Sequence, residues 1–167
     1  DLPGVALAAG DLSINNVSIG ATDEFADDVS PVGTRASSAI AFAAAINAVT
    51  GQSNVKAIVG ETQYVGLAPV SGTILGAGAN FEINGVVFDQ FVVQDGDDDG
   101  TLIREVNARS AETGVHARLS ADEHLILRAV DGRNIEFSVN NEAWVLGLLE
   151  TPGTAIVTGS LTLESSD

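Results

Sequence analysis

The residues with the sharpest chemical potential lie in Asp95-Gly96-Asp97-Asp98-Asp99-Gly100. Asp95, Asp97 and Asp99 stand at positions one, three and five of a calcium-loop pattern, and Gly100 at six supplies its turn. Carboxylates so spaced on a tight turn can wrap a hard cation. Position twelve is Val106 instead of a bidentate glutamate. The competing reading is an acidic turn ahead of a helix, where negative charge is favoured by the helix dipole. Acidic turns of that kind far outnumber partial loops that bind.

Other constellations carry less. Asp23-Glu24 and Asp27-Asp28 pair carboxylates inside a long insertion. Acid–base work needs surroundings that push two such pKa values apart, and the neighbouring sequence offers no apolar setting for that. A solvated loop is expected. His116 and His124 are the only histidines, there is no cysteine, and no His-x-x-x-His spacing occurs. A transition-metal site is therefore not expected, nor is a disulfide framework. No Gly-x-Ser-x-Gly elbow accompanies the serines, so a catalytic triad has no support. Gly76-Ala77-Gly78 is followed by strand-like Asn80-Phe81-Glu82-Ile83; a phosphate cradle would need a helix there, and a linker is the simpler reading. Asn16-Val17-Ser18 matches a sequon within an expected hairpin. No catalytic residue and no cofactor is assigned.

The elements around these residues repeat. Asp11-Leu12-Ser13-Ile14-Asn15-Asn16-Val17-Ser18-Ile19 is echoed by Asn80-Phe81-Glu82-Ile83-Asn84-Gly85-Val86-Val87-Phe88. Both alternate apolar and polar residues about a dipeptide that accepts positive φ, which predicts two β-hairpins. An acidic stretch and a helical pattern follow each. Ala39, Phe42, Ala43, Ile46 and Val49 mark the first helix, with Thr34 or Ser37 as its cap and Gly51 as its end. The second runs from about Thr101 to Thr113 and stops at Gly114. Then Asn47-Ala48 with Val55-Lys56-Ala57 matches Asn107-Ala108 with Val115-His116-Ala117. Further strands are predicted at Leu125 to Ala129 and Asn134 to Val139, joined as a hairpin at Asp131-Gly132. A short capped turn follows at Asn141 to Gly147, and a last strand spans Ala155 to Leu163. Tyr64 to Leu75 is the first copy's counterpart of the later hairpin.

The fold class expected is α+β: two strand-rich lobes, each a small antiparallel sheet of hairpins packed with one helix. The domains are 1–10 as an entry segment, 11–78 as the first hairpin-helix-strand unit, 79–148 as the second, and 149–167 as a return strand. The 167 residues carry a net charge of −16, from 23 acidic residues against seven basic ones. Nucleic acid is excluded as a partner, since no basic patch exists to displace counterions from phosphate. No apolar run reaches the roughly 18 residues of a membrane span. Such a charge suits a water-facing surface at high local density.

The string Phe81-Glu82-Ile83-Asn84-Gly85-Val86, with Val106-Asn107-Ala108, Thr113-Gly114-Val115-x-Ala117 and Asp131-Gly132-Arg133-Asn134-Ile135, resembles the flagellin hook IN motif. Ile14-Asn15, Ala45-Ile46-Asn47-Ala48 and Thr50-Gly51 repeat it, so the resemblance covers most of residues 11 to 139. Asn16 replaces the motif's glycine in the first copy, and an insertion spans Gly20 to Gly33.

The resemblance implies the outer, variable region of a bacterial flagellin, an extracellular filament building block without enzymatic activity. Its partners would be other flagellin subunits, met through conserved helical ends absent here, which makes this chain look like an outer fragment. Exposed serine and threonine are the expected acceptors if the filament is glycosylated. Two alternatives remain: a domain of a hook-associated or filament-cap protein, and a calcium-dependent surface adhesin or carbohydrate-binding module.

Overall fold

The structure, a computed structural model, describes residues 4–76 and 78–165. Among these the elements run β1 Ser13–Ile14, β2 Val17–Ser18, α1 Ala39–Asn47, α2 Thr50–Ser53, β3 Val55–Val59, β4 Thr62–Pro69, β5 Thr73–Leu75, β6 Phe81–Ile83, β7 Val86–Phe88 and β8 Phe91–Val93. After them come α3 Thr101–Ala108, α4 Ser110–Thr113, β9 His116–Leu119, β10 His124–Ala129, β11 Ile135–Val139, β12 Gly153–Val157 and β13 Leu161–Ser165. Short 3₁₀ turns lie at Glu24–Ala26, Val32–Ser37, Asp95–Asp97 and Asn141–Leu146. The fold is α+β, with several small antiparallel sheets and short helices. No helix among the described residues is long and apolar enough to cross a membrane.

Two compact units divide the chain. The first gathers residues up to Thr62, Val130–Asn134 and the stretch from Val157; the second holds Gln63–Ala129 and Ile135–Ile156. Gln63 to Gly76, with Gly78, fall in the second unit. Gly76 and Ala79 exchange backbone hydrogen bonds in that unit, while Ala77, the middle of the expected linker, lies outside the described residues.

In the first unit, β1 and β2 form the expected hairpin, Ile14 opposite Val17, with Asn15 and Asn16 at φ 51° and 63°. The alanine-rich helix α1 needs little volume, so it lies close on β3; Ile19, Ala43, Ile46 and Ala57 form the core. Its cap is Ser38, whose Oγ accepts from the Ala41 N–H at 3.1 Å. Thr34 and Ser37, the capping residues expected, instead belong to the preceding 3₁₀ turn and donate to Pro31 and Thr34 carbonyls. Gly51 does not end a helix either; it sits inside α2, which stops at left-handed Asn54. Small polar side chains satisfy the helix start wherever the backbone turns, and several candidates within five residues look alike in sequence.

In the second unit, β12-β11-β6-β7 form one sheet, β4-β10-β9 another, and β5-β8 a two-stranded ribbon. Phe81 and Phe88 stack at 4.8 Å beneath β6 and β7. Ile83, Leu102, Leu125, Ile135 and Phe137 complete a core with almost no solvent contact. The amphipathic helix α3 buries Leu102 and Val106.

Three strand expectations are corrected. Leu125 to Ala129 and Asn134 to Val139 are strands β10 and β11 but not a hairpin. β10 is flanked on both edges, by β9 and β4, which leaves β11 to pair with β6 and β12. The Asp131-Gly132 connection belongs to the first unit, where Asn134 N–H donates to Ser30 Oγ at 2.8 Å. Ala155 to Leu163 is two strands, β12 with β11 and β13 with β3, broken at Thr158–Ser160. There Gly159 runs so near the carbonyls of Gly132 and Gly60 that a side chain would collide with them. Tyr64 to Leu75 divides similarly, β4 joining β10 and β5 joining β8.

Candidate functional site

The acidic turn is a helix-start device. Gly96, Asp97 and Gly100 take positive φ, 62°, 52° and 67°, folding the chain back on itself ahead of α3. That places the buried Asp97 carboxylate under the first turn of the helix, where Oδ1 accepts from the Leu102 N–H at 2.8 Å and Oδ2 from the Ile103 N–H at 3.1 Å. Asp99 Oδ1 accepts from Thr101 N–H at 3.0 Å. The Thr101 N–H, then its hydroxyl, hold the Asp99 carboxyl below its ordinary value of 3.8. Asp95 Oδ1 faces elsewhere, accepting from Gly72 N–H at 2.7 Å. Thus Asp95, Asp97 and Asp99 each satisfy backbone donors that a helix or loop start leaves open. Among the described residues no three of His, Cys, Asp or Glu group to hold a metal.

The insertion behaves differently from a solvated loop at one position. Asp23 caps the Glu24–Ala26 turn through Phe25 N–H, in the expected exposed setting. Asp27, by contrast, is 1% exposed and its Oδ1 accepts from both Val29 and Ser30 N–H at 3.0 Å. Burial alone would push its carboxyl up, but the nearby Ser30 and Ser38 side chains and the Ser30 and Val29 N–H groups bring it below the ordinary 3.8. Ser38, whose side chain lies near enough to Asp27 to favour its charged form, also caps α1. Its hydrogen-bond partners lie two and three residues away, and nothing in the local pattern separates it from Asp28.

The histidines do not meet. His116 is exposed opposite Arg128 in the β9–β10 register, while His124 Nδ1 lies 2.7 Å from the Gly66 carbonyl. A carbonyl only accepts, so Nδ1 carries the proton.

The asparagines form the most elaborate polar arrangement, and it occurs twice. Asn84 at the β6–β7 turn donates from Nδ2 to the Thr113 carbonyl at the end of α4, 2.8 Å, and accepts the Glu136 N–H at 2.8 Å. Asn15 at the β1–β2 turn donates to the Ser53 carbonyl at the end of α2, also 2.8 Å. Asn107 then brackets Ala117, donating to its carbonyl at 2.9 Å and accepting its N–H at 2.8 Å. Asn47 brackets Ala57 in the same way, at 3.0 and 2.8 Å. Even the helix breaks correspond: Val49 and Arg109 have φ, ψ of −117°, 14° and −106°, 15°, and left-handed Asn54 and Gly114 end the second pieces. In both halves, one asparagine fastens the hairpin turn to a helix end and a second holds the helix to the next strand. Each such bond turns an exposed carbonyl or N–H into a fixed contact, which orders the module without a large core. The sequence marks these asparagines by position; their partners became visible only in three dimensions.

No family model matches this chain. It is similar to flagellin A of Helicobacter pylori, with 28% identity over 136 residues, covering 80% of this chain and 26% of that protein. The chain spans about a quarter of the length of this relative.

Proposed function

We propose that this chain is the variable, surface-exposed part of a bacterial flagellin, with a structural role in the filament and no catalytic one. The observation that carries the reading is the similarity to flagellin A along 80% of the chain, at a share of that protein suited to an outer segment and not to the whole. The net charge of −16 supports it, because dense packing of such domains around a filament favours surfaces that repel one another. So does the use of polar side chains: Asn15, Asn47, Asn84 and Asn107 are all spent on backbone groups. On this reading 11–78 and 79–148 are two copies of one module, the partners are other flagellin subunits, and the location is extracellular.

Immunogold electron microscopy of source cells with antibodies raised against this chain tests the proposal. Gold along the whole filament is expected. Label confined to the hook junction or filament tip would favour a hook-associated or cap protein and overturn it, as would label over the cell body alone.

A further inference from the structure

Trp144 is the only tryptophan of the chain and is 45% exposed. It stands between two depressions of the second unit. One, of about 330 Å³, is walled by Leu67, Val145 and Leu149 with Glu150 at its edge. The other, wider, of about 700 Å³, is walled by Ile74 and Pro152 with Glu142 at its edge. The apolar surface continues onto the β5–β8 ribbon, where Ile74 and Val92 are directly paired and 73% and 47% exposed. An apolar patch with a polar rim marks an interaction surface.

The charge of this face selects what covers it. Each depression contributes one carboxylate, no lysine or arginine lines either, and neither Glu142 nor Glu150 is ion-paired among the described residues. The unit as a whole holds thirteen acidic residues against four arginines. A second copy of this chain would bring the same sign of charge to the contact, and nucleic acid would be repelled likewise. A neutral saccharide would leave both carboxylates without a counter-charge, and the Asn141 amide nitrogen already donates to the Gly78 carbonyl. What remains complementary is positive charge carried beside apolar side chains, and tryptophan is the best aromatic face for a cation.

We propose that the Trp144 face is a docking site for a short cationic amphipathic peptide segment. Apolar side chains of the segment fill the two depressions, and its lysines or arginines reach Glu142, Glu150 and the indole. The site stands independently of the filament reading, since it rests on the second unit alone.

Trp144 is its own reporter. The full chain is titrated with an eight-residue peptide of alternating lysine and leucine, following tryptophan emission. A saturable blue shift that weakens with added salt is expected. Oligolysine of equal length should bind about tenfold more weakly for want of apolar side chains. The double variant Glu142→Gln with Glu150→Gln should lose about tenfold in affinity. Asp98→Asn with Asp122→Asn, which removes the same charge elsewhere on the unit, should change little. Trp144→Ala, followed by calorimetry and checked for folding by circular dichroism, should also weaken binding. Equal loss in both double variants, or oligolysine binding as tightly as the mixed peptide, would reduce the effect to general charge attraction and overturn the site. A response to a neutral oligosaccharide without one to the peptide would overturn it too.

Discussion

Asn84 and Asn15 occupy the same place in their hairpins but are not equally engaged. Asn84 spans two partners, Thr113 O and Glu136 N, and is half-buried, whereas Asn15 is exposed and reaches Ser53 O. Both have positive φ, 48° and 51°, so alanine meets the same backbone penalty at either site. Asn84→Ala should therefore cost about 3 kcal/mol and Asn15→Ala about 2, in urea unfolding, with the difference reporting the extra hydrogen bond. Equal losses would mean that the turn conformation, not the fastening, dominates. Asp27 makes a prediction in pH. Its folded-state carboxyl lies below 3.8, so its contribution is complete above that value and disappears as pH falls through the depressed one. As pH falls below 3.8, through the region where the folded-state carboxyl takes up its proton, the thermal midpoint of the parent should fall more steeply than that of Asp27→Asn. Parallel curves would show that Asp27 does not govern the acid limb.

At the level of elements, α3 offers the cleanest separation of two readings of one motif. If the acidic turn serves the helix, Asp97→Ala should cost about 1–2 kcal/mol by freeing the Leu102 and Ile103 N–H groups. Millimolar calcium should then leave the midpoint of the parent unchanged, because a ligand held only by the native state would have to raise it. A calcium-dependent rise lost in Asp97→Ala would restore the metal reading. Sequence made the hairpins legible because Asn15-Asn16 and Asn84-Gly85 carry their turn chemistry locally. The helix patterns at Ala39–Asn47 and Thr101–Ala108 were legible through three- and four-residue apolar spacing. Strand partnership was not. Leu125 to Ala129 and Ile135 to Val139 look like neighbours around Asp131-Gly132, yet β10 already has β9 and β4 on its edges. Which edges are free is decided by the whole sheet, and alternation along one strand holds no record of it. The Trp144 face is hidden for a related reason: its walls come from β4, β5, the turn at Asn141–Leu146 and the stretch 149–152 after it, segments up to 85 residues apart in chain order, Leu67 to Pro152.

For the molecule as a whole, charge is the quantity that composition sets and no single contact can relieve. Of the seven basic residues, Arg104, Arg109 and Arg133 sit beside Glu105, Glu112 and Asp131, so part of the positive charge is already spent on near neighbours. The remaining excess of acidic groups is spread over the surface and opposes compaction at low ionic strength. Screening should reverse the usual intuition that salt weakens an ion-paired protein, because exposed pairs are each worth little while repulsion sums over many groups. Raising sodium chloride from about 10 mM to about 500 mM shortens the screening length from roughly 30 Å to roughly 4 Å. The gain expected is about 1 kcal/mol, or about 2–4 °C in thermal midpoint for a chain of this size. Potassium chloride should act the same way, since the argument involves ionic strength and not a bound ion. A midpoint that stays flat or falls would mean that the three arginine pairs outweigh the collective repulsion, and the charge of −16 would then need a purpose other than keeping neighbouring domains apart.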